Sequence, residues 1–410
     1  MSKIAQDKKN KFQRKIITNL FFSKELSCND LSEAIGKSIP ITNRYITEML
    51  AEGQLIEKGY AHSTGGRRPQ VYSLPNDLFY VISVAMDQLV TRIGVVDANN
   101  VQVGTVEKIP LKLANNPDSL QQLTQHLNAF ISKISIPKNK IAGIGIGMPG
   151  FVDAKGGINY SFLKTPDNSS IITAIENEIG IPVMIDNDSS LIALAELKWG
   201  AAKNKSHSMI INIGWGVGLG IITDGKLFRG NEGFAGEFSH IPLFDNNKQC
   251  SCGKYGCLET ETSMTVVAEN VLAGLQKGLP SILQIQKEDS TEIVAQKIIE
   301  AAKQGDKFSV EAISDSAYNI GRGAAILIHL LNPEQIVISG MGSLAGKIWI
   351  AAVQQAINEH CIPKIAEHTE IAISTLGYQA ALIGAAALVM DNYEMIHQHK
   401  TKTIKQKTVA

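Results

Sequence analysis

The stretch that decides the fold of this chain reads Glu237-Phe-Ser-His240 and, ten residues after the histidine, Cys250-Ser-Cys-Gly-Lys-Tyr-Gly-Cys257-Leu-Glu259. One histidine nitrogen and three cysteine sulfurs make a complete tetrahedral ligand set for zinc, with no position left for water. We therefore predict a structural Zn²⁺ held by His240, Cys250, Cys252 and Cys257. The alternatives are an accidental cluster or a disulfide. The other two cysteines, at positions 28 and 361, are remote in sequence, which is not the pattern of a secreted disulfide framework.

Two carboxylates, Glu237 and Glu259, flank the metal ligands in sequence. A metal bound by these ligands would fix the segment that carries both carboxylates. Carboxylate oxygens accept hydrogen bonds from hydroxyl groups. The stretch therefore predicts a metal that shapes a sugar pocket.

Length and composition describe an ordinary globular protein. The chain has 410 residues, of which 44% are hydrophobic and 19% charged, enough to bury two or three cores. The amino terminus lacks the apolar core of a signal peptide, and the longest apolar run, near 380–390, is too short for a membrane span. We expect a soluble, cytoplasmic protein without a membrane partner.

The net charge is zero, but it is unevenly distributed. Residues 1–75 carry 12 Lys and Arg against 7 Asp and Glu, a balance of +5, and residues 76–410 carry the opposite balance. A small basic segment that precedes a larger acidic body suggests a nucleic-acid-binding module attached to another domain.

The basic segment has the pattern of a helix-turn-helix. Apolar residues at helical spacing predict a first helix over 11–22, and Ser27 with Asp30 suggests a capping box that opens a second helix. A third helix starts at Ser38 and is expected to pack through Ile41, Tyr45, Met49 and Leu50. The residues then left outward, which could reach DNA bases, are Pro40, Thr42, Asn43, Arg44 and Thr47. The alternative is a solvated polar face on a small helical bundle.

A wing follows these helices. Two short strands are predicted over 55–59 and 70–74, and the loop between them contains Gly65-Gly-Arg67-Arg68-Pro69. Two glycines let the loop approach a surface closely, and paired arginines suit a narrow, negatively charged minor groove. We therefore predict a winged helix-turn-helix in which Arg67 and Arg68 contact DNA.

The remaining sequence reads as two α/β lobes with glycine turns after strands. A hairpin is expected over 78–96, and a buried strand over 141–150 ends in a Pro-Gly turn. Another strand over 183–188 runs into a helix over 189–199, and a glycine-rich hairpin spans 208–225. Ligands bind at strand ends of this kind in α/β sheets.

These motifs together resemble the ROK family of repressors, open reading frames and sugar kinases. The resemblance rests on Gly143-Ile-Gly-Ile-Gly-Met-Pro-Gly150-Phe-Val-Asp153, Asp186-Asn-Asp188, the glycine hairpin and the His/Cys stretch, and runs from about 78 to 390. It implies an actin-like ATPase fold, with two ribonuclease-H-like lobes and a sugar in the cleft between them. The domains expected are a winged helix-turn-helix over 1–75, a ROK body over 76–390 and a disordered tail over 391–410.

The resemblance also implies roles for particular residues. Asn187 and Asp188 match the family's sugar-binding pair, in which the Asp is the general base of the kinases. Glu237, His240 and Glu259 match the other sugar contacts, and His240 with the three cysteines matches the zinc ligands. A second reading of Asp188 is a helix N-cap, because it precedes an apolar-periodic helix.

Two departures argue against a kinase. The family's Asp-x-Gly-Gly-Thr phosphate turn is Asp87-Gln-Leu-Val-Thr91 here, and its Gly-Thr-Gly turn is Gly214-Trp215-Gly216, which places an indole where a hydroxyl would face the phosphates. The sequence therefore favours a sugar-responsive transcriptional repressor, not an enzyme, that binds operator DNA and a sugar or sugar phosphate as a homodimer or tetramer. The alternatives are an ATP-dependent sugar kinase with an added DNA-binding domain, and a regulator controlled by a protein partner.

Overall fold

The amino-terminal part of the chain forms helices followed by a small sheet. The computed structural model describes residues 3–60, 68–165, 167 and 169–397. Its first elements are α1 (Lys3–Ser23), β1 (Leu26–Ser27), α2 (Cys28–Ile35), α3 (Ile39–Ala51), β2 (Ile56–Tyr60) and β3 (Gln70–Ser73). The three strands pair antiparallel in the order β1-β3-β2. The predicted helices and the two predicted strands are thus present.

Local capping explains where α2 begins and ends. Ser27 N and Oγ donate to Asp30 Oδ2 at 2.8 and 2.7 Å, and Asp30 N donates back to Ser27 Oγ. This is the capping box that the sequence predicts. The helix ends at Gly36, which is left-handed with φ 64°. The next helix, α3, follows Ser38 and carries a proline in its first turn, where no hydrogen-bond donor is needed.

The rest of the chain alternates strands and helices. In chain order the elements are β4 (Tyr80–Met86), β5 (Val90–Asp97), β6 (Glu107–Pro110), α4 (Ser119–Lys133), β7 (Ile141–Met148), β8 (Val152–Asp153), β9 (Ile158–Asn159), α5 (Ile171–Ile179), β10 (Val183–Asn187), α6 (Asp188–Trp199), β11 (Ser208–Ile213), β12 (Val217–Thr223), β13 (Lys226–Phe228), α7 (Met264–Gln276), α8 (Thr291–Lys303), α9 (Lys307–Leu331), β14 (Gln335–Ser339), α10 (Lys347–His360), α11 (Pro363–Ala366), β15 (Glu370–Ile373) and α12 (Ala380–Asp391). None of the helices in the described part of the chain combines the length and apolar character needed to cross a lipid bilayer.

The chain divides into two compact units. The first comprises residues 1–148, 154–186 and 385–410, and the second comprises 149–153 and 187–384. The first holds a five-stranded sheet in the order β10-β7-β4-β5-β6, and the second holds one in the order β13-β12-β11-β14-β15. In each unit three strands form an antiparallel meander, and the next strand pairs parallel to the first strand of that meander. This shared topology agrees with the predicted pair of α/β lobes.

The last helix, α12, contributes residues to both units, which divide at position 384. In the first unit it lies directly on β7, because a Cβ added to Gly145 would be 1.9 Å from the carbonyl oxygen of Ala385. Helical structure continues over 393–397, where Tyr393 and Ile396 are buried. The structure therefore differs from the predicted disordered tail at 391–397. Residues 398–410 lie outside the described residues, and the domain limits at 75 and 390 stay predictions.

Candidate metal and effector site

The four predicted metal ligands lie together in the second unit. His240 ends a short 3-10 turn, Phe238–His240, and the three cysteines follow in a loop that leads to a second such turn, Leu258–Glu261. The four candidate ligand atoms all lie within 4.8 Å of one another. His240 Nδ1 is 3.5 Å from Cys250 Sγ, and the Sγ atoms of Cys252 and Cys257 are 3.7 Å apart.

These spacings fit a tetrahedral metal. Zinc–sulfur bonds of about 2.3 Å and zinc–nitrogen bonds of about 2.0 Å place the ligand atoms of a tetrahedron roughly 3.5 to 3.8 Å apart. All five cysteines of the chain are free thiols, so the structure does not contain the alternative disulfide. The cluster can therefore hold a metal ion. Of its three cysteines, Cys250 and Cys257 are buried and Cys252 is exposed.

Two thiols of the cluster differ in how readily they ionise. Burial, followed by the neighbouring Cys252 and Cys250 sulfurs, raises the pKa of the Cys257 thiol to about 12. For Cys252 burial also opposes ionisation, but hydrogen bonds involving the Lys254 backbone and the Cys250 and Cys257 thiols lower its pKa. A bound divalent cation would stabilise the thiolates. A sulfur-rich ligand set suits a soft or borderline metal ion.

The predicted sugar-contacting carboxylates border the metal cluster. The Nε2 atom of His240 lies 3.8 Å from Glu237 Oε2, so one imidazole touches the cysteines through Nδ1 and a carboxylate through Nε2. Glu259 Oε1 is 4.0 Å from Cys250 Sγ, and its Oε2 accepts a hydrogen bond from Val217 N at 3.3 Å. Burial raises the pKa of Glu237, with His240 opposing and Glu259 reinforcing the shift. Metal ligands and carboxylates thus form one continuous group.

Asn187 and Asp188 lie where β10 passes into α6. Asn187 is the N-cap, because its Oδ1 accepts hydrogen bonds from Ser189 N and Ser190 N at 2.9 and 3.1 Å. The reading of Asp188 as the N-cap is therefore wrong: Asp188 is the first helical residue. Its Oδ1 accepts from Ser189 N at 2.8 Å, and its Oδ2 accepts from Asn212 Nδ2 at 3.3 Å.

A short segment after β7 connects these two residues with the metal cluster. Asn187 Nδ2 donates to the carbonyl oxygen of Gly150 at 3.1 Å, and the neighbouring Phe151 ring stacks on the His240 imidazole with centroids 6.3 Å apart. The ring of Phe234 meets Phe151 edge-on. The structure thus brings the predicted sugar contacts into one region of the second unit, with an aromatic pair that sequence reasoning missed.

Asn212 was also missed. It is a polar residue between apolar ones in strand β11, which was the available signal, but its contact with Asp188 depends on how α6 packs on the sheet.

The two turns that depart from the kinase pattern are both ordered. Asp87 Oδ1 accepts hydrogen bonds from Leu89 N and Val90 N at 2.8 and 2.7 Å, so this carboxylate closes its own turn. Trp215 is only 7% exposed, and its carbonyl oxygen accepts from Thr265 Oγ1. Trp215 is therefore largely shielded from solvent, and the interpretation that its indole stands where a hydroxyl would face the phosphates stays a prediction. The missing hydroxyl and glycines remain.

The predicted DNA-facing residues of α3 are not all exposed. Thr42 is fully buried and its Oγ1 donates to Ser38 O at 3.1 Å, whereas Ile41, predicted to pack inward, is 41% exposed. Thr42 is therefore wrong as a base-contacting residue. The other predicted members are exposed, namely Pro40, Asn43, Arg44, Thr47 and, beyond the strand loop, Arg68. Arg67 lies outside the described residues.

Two sheets of the same topology and a His/Cys₃ cluster beside carboxylates indicate a class of protein that includes both repressors and sugar kinases, which have this two-sheet fold in common. The chain belongs to the ROK family, whose model matches residues 83–392. It is 29% identical to the xylose repressor of Caldicellulosiruptor bescii over 92% of this chain and 94% of that protein. It is also 31% identical to the DNA-binding transcriptional dual regulator NagC of Escherichia coli K12, over 85% of each chain.

Further matches include a solved regulator and a kinase. A crystal structure of a ROK family transcriptional regulator, a homolog of the E. coli MLC protein, superposes with a TM-score of 0.74 at 27% identity, covering 95% of this chain and 98% of that one. A glucokinase of Halalkalibacterium halodurans is 34% identical over 62% of this chain and 77% of that protein. The xylose repressor and the solved regulator thus match more than nine tenths of this chain, whereas the glucokinase matches 62%.

Proposed function

We propose that this protein is a sugar-responsive transcriptional repressor. The observation that carries the proposal is the connection of predicted sugar-contacting residues to one His/Cys₃ cluster in the second unit. His240 belongs to the cluster, Glu237 and Glu259 border it, and Asn187, which precedes Asp188, is linked to it through the Gly150–Phe151 segment. The near full-length similarity to a xylose repressor and to NagC supports it.

The sugar or sugar phosphate would be bound by hydrogen bonds from its hydroxyl groups. Carboxylate oxygens have lone pairs to spare, and Asp188 and Glu259 each hold theirs in place through internal donors. A zinc ion at the cluster would act structurally, by fixing His240 through Nδ1 and leaving Nε2 directed at Glu237. The sugar then contacts residues that are ordered before it arrives, which lowers the entropic cost of binding.

Operator DNA would be bound by residues 1–75 as a winged helix-turn-helix. Support comes from the helices α2 and α3, the antiparallel sheet behind them and the exposed side chains of Asn43 and Arg44. Arg44 is 65% exposed at its side chain and has Glu48 at 3.8 Å, a contact that DNA phosphate or a guanine edge would replace. Half-site recognition by such heads requires a homodimer or tetramer.

The proposal is tested by measuring sugar and DNA binding on the same full-length protein. Calorimetry with xylose, glucose, N-acetylglucosamine and the 6-phosphates of the last two is expected to find one binder. Duplexes selected from a random pool by the sugar-free protein should be released when that sugar is added. Asp188→Asn should keep DNA binding and lose the release. A protein that selects no duplex, or whose duplexes ignore every sugar, would contradict the proposal, the second result favouring control by a protein partner.

A sugar kinase is the second candidate, because the Asp188 carboxylate is held in position and a glucokinase is 34% identical to much of the body. Against it stand the absent glycines after Asp87 and the absent hydroxyl at Trp215. A coupled assay with ATP and each hexose decides between them. Turnover that disappears in Asp188→Asn would replace the repressor proposal by a bifunctional one.

A further inference from the structure

The carboxylate of Asp188 is held at both of its oxygens by different parts of the second unit. Its Oδ1 accepts from Ser189 N at 2.8 Å and from Ser189 Oγ at 3.3 Å. Its Oδ2 accepts from the side-chain amide of Asn212, on strand β11, at 3.3 Å. Rotation of the carboxylate about its Cβ–Cγ bond would break these contacts, so the donors on its two oxygens favour one orientation.

Asn212 is itself held in one position. Its side chain is 9% exposed, and its Nδ2 also donates to Ser189 Oγ at 3.1 Å. On its other side the chain turns at Gly340, where an added Cβ would be 2.2 Å from Asn212 Oδ1. The amide oxygen of Asn212 therefore packs against Gly340, and the amide nitrogen donates to two acceptors. A rigid donor of this kind can impose its geometry on a partner that is more exposed.

We infer that Asn212 is a positioning residue for the effector. It sets the orientation of the Asp188 carboxylate, and this orientation determines from which sugar hydroxyl the carboxylate can accept a hydrogen bond. The inference rests on the proposed sugar binding. Asn212 acts through Asp188 and does not touch the sugar. A carboxylate fixed before binding loses less freedom on binding, and a hydrogen bond to a charged acceptor is among the stronger ones.

The test measures affinity for whichever of xylose, glucose and N-acetylglucosamine binds the wild-type protein most tightly. Asn212→Ala is expected to weaken this affinity about tenfold, which corresponds to about 1.4 kcal/mol. Ser189→Ala is the comparison variant: it removes the other acceptor of Asn212 and the Ser189 Oγ contact to Asp188 Oδ1, but keeps the backbone donor to Oδ1 and the Asn212 donor to Oδ2. It should change the affinity by less than about threefold. Metal content and the melting temperature of the sugar-free protein show whether each variant folds. If Asn212→Ala does not fold, Asn212→Ser replaces it, because the serine hydroxyl is too short to reach Asp188.

A double-mutant cycle separates positioning from a general structural role. Once Asp188→Asn has removed the carboxylate, adding Asn212→Ala should cost less than about twofold more, because the two residues act on the same contact. A further tenfold loss in that background would overturn the inference. So would wild-type affinity in folded Asn212→Ala and Asn212→Ser when Asp188→Asn is weakened. If the wild-type protein binds none of the sugars, the proposed function fails first and the inference falls with it.

Discussion

Replacing Cys257 by serine is expected to abolish metal binding and to destabilise the second unit. Cys257 is fully buried and its sulfur lies 3.7 Å from that of Cys252, so no water can take its place as a ligand without rearrangement of the loop. A metal present at about a thousand times its dissociation constant stabilises the folded state by about 4 kcal/mol. For a unit of this size, the loss corresponds to a melting temperature lower by roughly 10 °C.

The assay combines elemental analysis with calorimetric melting of protein purified without chelators. The wild type should contain about one zinc per chain, and Cys257→Ser less than about a tenth of that. Cys28→Ser is the control, since this thiol lies on α2 in the other unit and should change neither value. A Cys257→Ser protein that keeps a full metal complement would refute the reasoning, as would a wild type that contains no metal and melts at the same temperature after chelation.

Three other perturbations have expected outcomes. Gly145→Ala should lower the free energy of unfolding of the first unit by about 3 kcal/mol in urea titrations, because its Cβ would be 1.9 Å from Ala385 O. Gly214→Ala is the control and should cost far less, because the nearest atom to its Cβ would be Gly216 O at 3.9 Å. The carboxylate of Asp306 caps α9; burial opposes its ionisation, yet hydrogen bonds lower its pKa from 3.8 to about 2. Asp306→Ala should therefore cost about 2 kcal/mol at pH 7, and its difference from the wild type should shrink as the pH falls from about 4 to 2. Arg68→Ala should weaken binding to all duplexes alike and reduce the salt dependence by about one counterion, and a sequence-selective loss would argue against a phosphate contact.

Features fixed by neighbouring residues could be predicted from the sequence. The capping box of Ser27 and Asp30, the glycine at the end of α2 and the strand that runs into α6 all depend on contacts within a few residues. The metal cluster could be predicted as well, because its ligands lie within 18 residues and their chemistry allows few other uses.

Features that depend on distant contacts could not be predicted. Periodicity alone did not distinguish Ile41 from Thr42, because which side of α3 is covered depends on the elements that pack against it; the buried hydroxyl of Thr42 then finds a local acceptor in Ser38 O. Likewise, the segment after 391 is polar in sequence, yet Tyr393 packs on Phe79 with ring centroids 5.5 Å apart. The donor from Asn212 to Asp188 joins two elements whose adjacency only the folded sheet reveals.

The inward-facing Thr42 has a consequence for experiments that would reprogram the proposed operator binding. Because its methyl and hydroxyl groups are enclosed, a saturation library should tolerate little beyond serine or valine at codon 42. The library should instead vary the solvent-exposed positions around it, which are 39, 40, 41, 43, 44 and 47. Clones that acquire a new promoter specificity should therefore carry the parental threonine.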